Sequence, residues 1–344
     1  MARLGRLLRR LLRGLALLAL TLALLAAIVP LLIPVRPLAG TVAARELAPD
    51  ARFVEVDGLA LHVEERGAGG TPLVLLHGFL ASTFTWREVL GPLARDRRVV
   101  AFDRPAFGLS DRPLPDPASG EFPGGRDPYA ADAQVAQTLG LMDALAIDRA
   151  ILVGNSAGGT LALRIALARP DRVRALILLD PAVYRSGPPG WMRWVFRTPQ
   201  LRRVGPLILR SLDGRAREFA ELAWHDPARI NDALLAGYIR AQRIHDWDQA
   251  LWRFTVANEG SDDLPPRLAD LDMPILVITG DDDRVIPTEE SVRLADALPD
   301  AELVVIGACG HVPQEECPQA VLAAIDGFLA RLEGDRLGSS ERAP

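Results

Sequence analysis

The apolar and polar positions divide the chain into stretches of different kinds. From Gly14 to Val35 no charged residue interrupts the run GLALLALTLALLAAIVPLLIPV, and ahead of it stand Arg3, Arg6, Arg9, Arg10 and Arg13. A helix crossing the hydrocarbon layer needs about 20 apolar residues, so the run has the length, with Pro30 and Pro34 as the points where it kinks or ends. Residues 14–29 offer no polar face, which excludes an amphipathic helix packed on a domain. The arginines orient its N-terminus to the cytoplasm and place everything after it outside. A cleaved signal peptide, with Val42-Ala43-Ala44 as the small-residue site, is the alternative. The run exceeds the roughly 7–15 apolar residues of such peptides, and an uncleaved anchor over residues 1–35 is therefore expected.

Residues 36–52, with Pro37, Gly40 and Pro49, read as a linker. Beyond them short runs of β-formers alternate with helical periodicity. FVEVDG and LALHVEE form a hairpin turning at Asp57-Gly58, and PLVLLHG, RVVAFD, AILVGN, VRALILLD, PILVITG and ELVVIG suit strands buried on both faces. Helices are predicted at 84–95, 129–146, 157–168, 288–298 and 317–332. This alternation predicts an α/β fold with a mostly parallel, eight-stranded sheet covered on both faces, built from residues 53–184 and 266–332, with 333–344 as a tail. Two stretches break the rhythm. Residues 111–128 are a loop with five prolines, and 185–265 are helical where a short crossover would suffice, which predicts an inserted subdomain. That insertion holds Trp191, Trp194, Trp224, Trp247 and Trp252.

Composition narrows the function classes. The 39 basic residues are all arginine and stand against 44 acidic ones, a net charge of −5 that gives no support to a nucleic-acid partner. Cys309 and Cys317 form no CxxC and group with no histidines, so neither a zinc pattern nor a disulfide scaffold is indicated; buried free thiols are expected, with a single disulfide left open.

The chemistry concentrates at LVGNSAGGTL, where Gly154-Asn155-Ser156-Ala157-Gly158 lies after a predicted strand and before a predicted helix, the context a G-x-S-x-G turn requires. Such a turn strains the serine and lifts its hydroxyl above the sheet, and the helix N-terminus adds partial positive charge for an acyl oxygen. A serine needs a base. Of the histidines His62, His77, His225, His245 and His311, the last lies just beyond the final strand in GACGHVPQEE, where a loop hangs it over Ser156. His77-Gly78 reads as shaping an oxyanion loop, and the remaining three read as structural or surface residues. The acid follows PILVITG, where GDDDRVIP offers Asp281, Asp282 and Asp283. Asp103 and Asp180, at strand ends, read as fixing loops.

The ordered set HGF, DRPAFGLSD, GNSAGG, GDDDRVIP and GHVPQEE resembles the α/β-hydrolase fold family over about residues 52–332. The family's G-x-x-D-x-x-x-P spacing singles out Asp283, between Gly280 and Pro287. The resemblance implies a serine hydrolase with catalytic Ser156, Asp283 and His311, an oxyanion hole from the backbone N–H groups of Phe79 and Ala157, no metal or organic cofactor, and the 185–265 insertion as a lid. A small apolar ester-like substrate is expected. Ala106 stands where relatives often carry glycine, and HGFLAS lacks the HGxGPG of carbon–carbon bond hydrolases, although GNSAGG resembles theirs. A serine nucleophile argues against the dehalogenase and epoxide hydrolase branches. Acyl transfer or perhydrolysis on the same triad, carbon–carbon bond hydrolysis and a non-catalytic ligand-binding role remain alternatives. In the lid stretch 190–209, Trp191, Trp194 and Val195 are expected to pack onto the catalytic domain with Arg193, Arg197, Arg202 and Arg203 solvated, the alternative being contact with the bilayer.

Overall fold

The computed structural model describes residues 2–116, 118–184, 190–211, 213–258 and 260–340. The expected hairpin forms from β1 (Arg52–Val56) and β2 (Leu59–Arg66), turning at Asp57-Gly58, both with positive φ. With β3 (Leu73–Leu76), β4 (Val99–Phe102), β5 (Ala150–Asn155), β6 (Val173–Leu179), β7 (Ile275–Gly280) and β8 (Ala301–Ile306) they make one eight-stranded sheet in the order β1-β2-β4-β3-β5-β6-β7-β8. Pairing is antiparallel for β1–β2 and β2–β4 and parallel from β4 through β8.

The helices follow in chain order: α1 (Ala2–Leu32), α2 (Ala44–Leu47), α3 (Leu90–Leu93), α4 (Ala131–Ala144), α5 (Ala157–Ala168), α6 (Gly190–Phe196), α7 (Pro199–Arg210), α8 (Ala216–Ala223), α9 (Asp232–Ile239), α10 (Trp247–Ala257), α11 (Thr288–Ala297), α12 (Pro313–Glu316) and α13 (Pro318–Ser340). Strand alternation divides the core between the two faces of the sheet. Val74, Leu76, Leu152 and Leu178 meet Leu141 of α4, Leu163 of α5 and Leu294 of α11, whereas Leu73, Leu75, Val153 and Ile177 meet Leu93 of α3 and Val321, Ile325 and Phe328 of α13. Side chains at successive strand positions point to opposite faces, so continuous apolar runs are what a sheet covered twice demands.

Several expectations need correction. The helix over 84–95 is a 3₁₀ turn (Thr83–Trp86) followed by the single turn of α3, where Gly91-Pro92 discourages a longer helix. The final helix begins at Pro318, a proline suited to the first helical position, and runs through most of the supposed tail to Ser340. Cys309 and Cys317 are joined in a disulfide, their Cα atoms 6.3 Å apart, rather than free. The linker is partly pinned to the insertion: Val42 bridges Ile244, its N–H donating to Arg243 O at 2.9 Å, and Thr41 Oγ1 meets His245 Nδ1 at 2.9 Å.

The stretch expected as an inserted subdomain carries α6 to α10 between β6 and β7. It packs on the sheet domain through two apolar clusters. In one, Trp247, Leu251, Trp252 and Phe254 meet Phe107 and Tyr129; in the other, Trp224, Ile230 and Leu234 meet Phe84 and Val312. Trp194 and Val195 do not pack as expected, being 82% and 43% exposed, while the side chains of Trp191 and Arg193 lie outside the described residues. Helix α1 is long and apolar enough to cross a membrane, with a mean hydropathy of 2.8 in its most apolar stretch. It lies against α7, where Gln200 Nε2 donates to Ala27 O at 2.9 Å and Arg203 Nε to Ile33 O at 3.0 Å. Arg203 is thus not simply solvated: it satisfies a carbonyl just beyond the end of the apolar helix, where intrahelical partners run out.

Candidate active site

Ser156 stands between β5 and α5 with φ 53° and ψ −120°, a strained conformation for a residue with a side chain. Its backbone is fixed by a 2.9 Å bond from its N–H to Leu179 O. The neighbouring glycines are required by close approach. A Cβ on Gly158 would lie 1.9 Å from Leu76 O, and one on Gly154 would lie 2.5 Å from the Gly158 carbonyl. Strand and helix therefore meet at backbone contact, which turns the chain sharply and leaves Ser156 at the C-terminal edge of the sheet.

The histidine and the acid arrive from adjoining strands. His311, in the loop after β8, has Nδ1 2.7 Å from Asp283 Oδ2, in the loop after β7. Asp283 Oδ1 accepts the N–H groups of Val285 and Ile286 at 2.8 and 2.9 Å, so donors meet both carboxylate oxygens. The other two aspartates are engaged elsewhere. Asp281 Oδ1 accepts from Cys309 N–H at 3.3 Å, and Asp282 Oδ2 lies 2.9 Å from His225 Nδ1 and 2.5 Å from Arg284. Among the described residues no hydrogen bond joins Ser156 Oγ to His311; what ties the two loops is Asn155, whose Nδ2 donates to His311 O at 3.1 Å. Such nucleophile–base contacts are often loose before substrate arrives.

The loop after β3 closes on the serine from the other side. A Cβ on Gly78 would lie 3.3 Å from Ser156 Cβ, so Gly78-Phe79 passes directly beside Ser156. His77 is fully buried, and burial, with Arg104 beside it, lowers its pKa to about 3. It is neutral, and because its Nε2 accepts the Arg104 N–H at 3.0 Å, the proton sits on Nδ1 and is donated to Gly78 O at 2.8 Å. The Arg104 guanidinium adds bonds to His77 O and Gly78 O at 2.9 and 3.1 Å and faces the rings of Phe107 and Phe254. Arg104 had no role in the sequence reading, although its place in DRPAFG, just past a buried strand, was the available signal. Among the described residues the N–H groups of Phe79 and Ala157 meet no acceptor. The rings of Phe79, Phe107 and Phe254 lie 4.7 to 6.0 Å apart and form an apolar wall next to them.

The remaining sequence candidates hold structure together. His62 Nδ1 lies 2.8 Å from Asp103 Oδ2; burial opposes the charged imidazole, but the bond and charge of Asp103 outweigh it and raise the His62 pKa. Asp103 also accepts the N–H groups of Thr83 and Leu109, fixing both loops as expected. Among the described residues two clusters have metal-ligating residue types. Cys309, Cys317 and Glu316 form one, but the disulfide engages both sulfurs; Asp180, Asp283 and His311 form the other, where Nδ1 of His311 is already bonded to Asp283.

Residues 71–318 match the family described as the α/β hydrolase fold. An uncharacterized hydrolase of Bacillus subtilis, YugF, is 32% identical over 289 residues, covering 82% of this chain and 98% of that protein. The 2-hydroxy-6-oxo-2,4-heptadienoate hydrolase of Pseudomonas putida is 32% identical over 287 residues, covering 81% and 96%. A solved structure of a bacterial membrane phospholipase A superposes with a TM-score of 0.65 over 94% of this chain and 99% of that one, a likeness of fold at 24% identity. With the sheet order and the strand–turn–helix at Ser156, these matches establish that the chain belongs to the α/β-hydrolase fold family and is a hydrolase.

Proposed function

We propose that the protein is a serine hydrolase that cleaves an ester or related acyl bond through an acyl-enzyme. The observation that carries this reading is the 2.7 Å His311–Asp283 bond in loops beside the strained turn of Ser156. Ser156 attacks the carbonyl, His311 takes its proton and returns it to the leaving group, and Asp283 holds the imidazole with Nδ1 protonated and stabilises its charged form. The N–H groups of Phe79 and Ala157 receive the oxyanion, such preorganised donors being worth roughly 10²–10³ in rate. Water then releases the acyl group, with no cofactor taking part. Hydrolysis of a carbon–carbon bond, the second reading, is favoured by the name of the Pseudomonas relative. HGFLAS in place of HGxGPG and the apolar Phe79, Phe107 and Phe254 wall favour an apolar ester.

The α6–α10 insertion serves as a lid. The apolar helix α1 serves as an uncleaved anchor with the catalytic domain outside the cytoplasm, a placement supported by the Cys309–Cys317 disulfide, since disulfides persist in oxidising compartments. Exposed Trp194, on the insertion whose α7 lies against α1, supports a lid that touches the bilayer and admits apolar substrate from it.

The test is Ser156→Ala. Folding is expected to persist while hydrolysis of a p-nitrophenyl ester falls roughly 10³–10⁶-fold, the nucleophile acting as a unit with its base. Full turnover by the variant, or no labelling of Ser156 by a fluorophosphonate, would remove the serine-hydrolase reading.

A further inference from the structure

Four consecutive strands of the sheet, β5 to β8, each bring one polar residue to the same edge: Ser156, Asp180, Asp283 and His311. Asp180 has no part in the reaction above. It is fully buried, and it follows β6 with φ 44°, a left-handed conformation uncommon for a residue with a side chain. Its backbone N–H donates to Ile278 O at 2.9 Å, which locks that conformation against β7. Its Oδ1 accepts Thr279 Oγ1–H at 2.7 Å and Gly280 N–H at 3.1 Å. Its Oδ2 is buried with no donor among the described residues. A carboxyl oxygen of Asp180, one of Asp283 and a ring nitrogen of His311 all lie within 4.8 Å of one another.

Two carboxylates this close and this dry do not both ionise. Asp283 has donors on both oxygens, whereas Asp180 has one oxygen without any, so the proton belongs on Asp180 Oδ2. Burial, and next the charge of Asp283, push the Asp180 carboxyl well above the usual carboxylate range, against the bonds from Thr279 and Gly280. The titratable groups that face it are Asp283 from the loop after β7 and His311 from the loop after β8.

We propose that Asp180 is a positioning residue, a neutral carboxylic acid whose Oδ2–H donates to the Asp283 carboxylate and keeps the Asp283–His311 pair in register. The proposal rests on the triad reading above. The donated bond completes the set around Asp283 and stops its carboxylate from turning away from the imidazole, while the net charge of the cluster stays at that of one carboxylate.

The test compares Asp180→Ala and Asp180→Asn in the full-length chain, in detergent, by ester hydrolysis across pH, fluorophosphonate labelling of Ser156 and infrared difference spectroscopy. Asp180→Ala is expected to lose about 100-fold in kcat with KM unchanged, the scale of a small misplacement in a site of this kind. Its acid limb in kcat/KM should move to higher pH, because Asp283 stripped of a donor holds the imidazolium more tightly. Asp180→Asn should rescue most of the loss, its amide supplying both the donor to Asp283 and the acceptor for Thr279 and Gly280. The wild type should show at neutral pH a protonated-carboxyl C=O band that Asp180→Asn lacks. An Asp180→Asn variant as impaired as Asp180→Ala, an Asp180→Ala variant as active as wild type with an unmoved acid limb, or absence of the band would each overturn the proposal. If Asp180→Ala does not fold, the band and the activity of Asp180→Asn decide it. Failure of wild-type Ser156 to label would instead remove the triad reading, and the band would still report on the carboxyl pair.

Discussion

Asp281, Asp282 and Asp283 are neighbours in sequence that do different work, because a tight loop after β7 sends their side chains to different partners. Asp283→Asn is expected to lower kcat by about 10⁴, the scale seen when the imidazole is left in the wrong tautomer. Asp282→Asn gives up a half-exposed pairing with His225 and Arg284, which contributes little, and should leave kcat close to wild type. Steady-state kinetics of the three Asn variants checks the order, and a greater loss for Asp281→Asn or Asp282→Asn would reassign the acid. Ala106 offers a second residue-scale case. Its φ of 78° is a left-handed conformation in which a Cβ is strained. Ala106→Gly is expected to raise stability by about 1 kcal/mol in denaturant titration, the relief of strain outweighing the greater entropy of the unfolded glycine.

At the scale of elements, the histidine loop is held from several directions. The disulfide brackets it from Cys309 to Cys317, and Glu316, at the end of α12, accepts the N–H groups of Gly310, His225 and Asp226 at 2.8 to 2.9 Å. The His311 N–H itself donates to Ala223 O, at the end of α8, at 2.7 Å, so the insertion also braces the histidine loop. Replacing both cysteines by serine should cost about 2–4 kcal/mol of stability and lower kcat more than it changes KM, since the loop then loses one of its constraints. Thermal denaturation and ester kinetics with and without reductant read both effects; no change on reduction would show that Glu316 and the insertion suffice.

For the whole molecule, the question is how the N-terminal helix relates to the rest. A chain beginning at Arg36 should be soluble and active, whereas one beginning at Ala48 should be less stable, because it lacks the bonds of Thr41 and Val42 to the insertion. Comparing the two by expression, melting and kinetics tests this, and equal stability would return residues 36–47 to the status of a free linker. On anionic vesicles the Arg36 chain should bind less tightly when Arg197, Arg202 and Arg203 are replaced by Gln, each basic residue near such a surface contributing about 1 kcal/mol. Equal binding would leave the insertion without a membrane contact.

Much of this was legible in the chain itself. Hydrophobic periodicity is a local property, and the strands, the hairpin at Asp57-Gly58, the helix at 157–168 and the helical insertion follow from it directly. The serine turn was legible because only glycine tolerates the backbone approach at positions 154 and 158, and the spacing of glycine and proline around Asp283 marked the aspartate that bonds His311. What sequence left open depends on which distant groups come to share one buried space. Cys309 and Cys317 look like any two thiols until the histidine loop folds back and brings them together. Trp194 looks like packing until α6 leaves it in the open, and Arg104 is one arginine among 39 until its guanidinium takes the carbonyls of His77 and Gly78. Asp180 reads as a loop-fixing residue at a strand end; only the order β5-β6-β7-β8 sets it beside Asp283 in a space too dry for two charges.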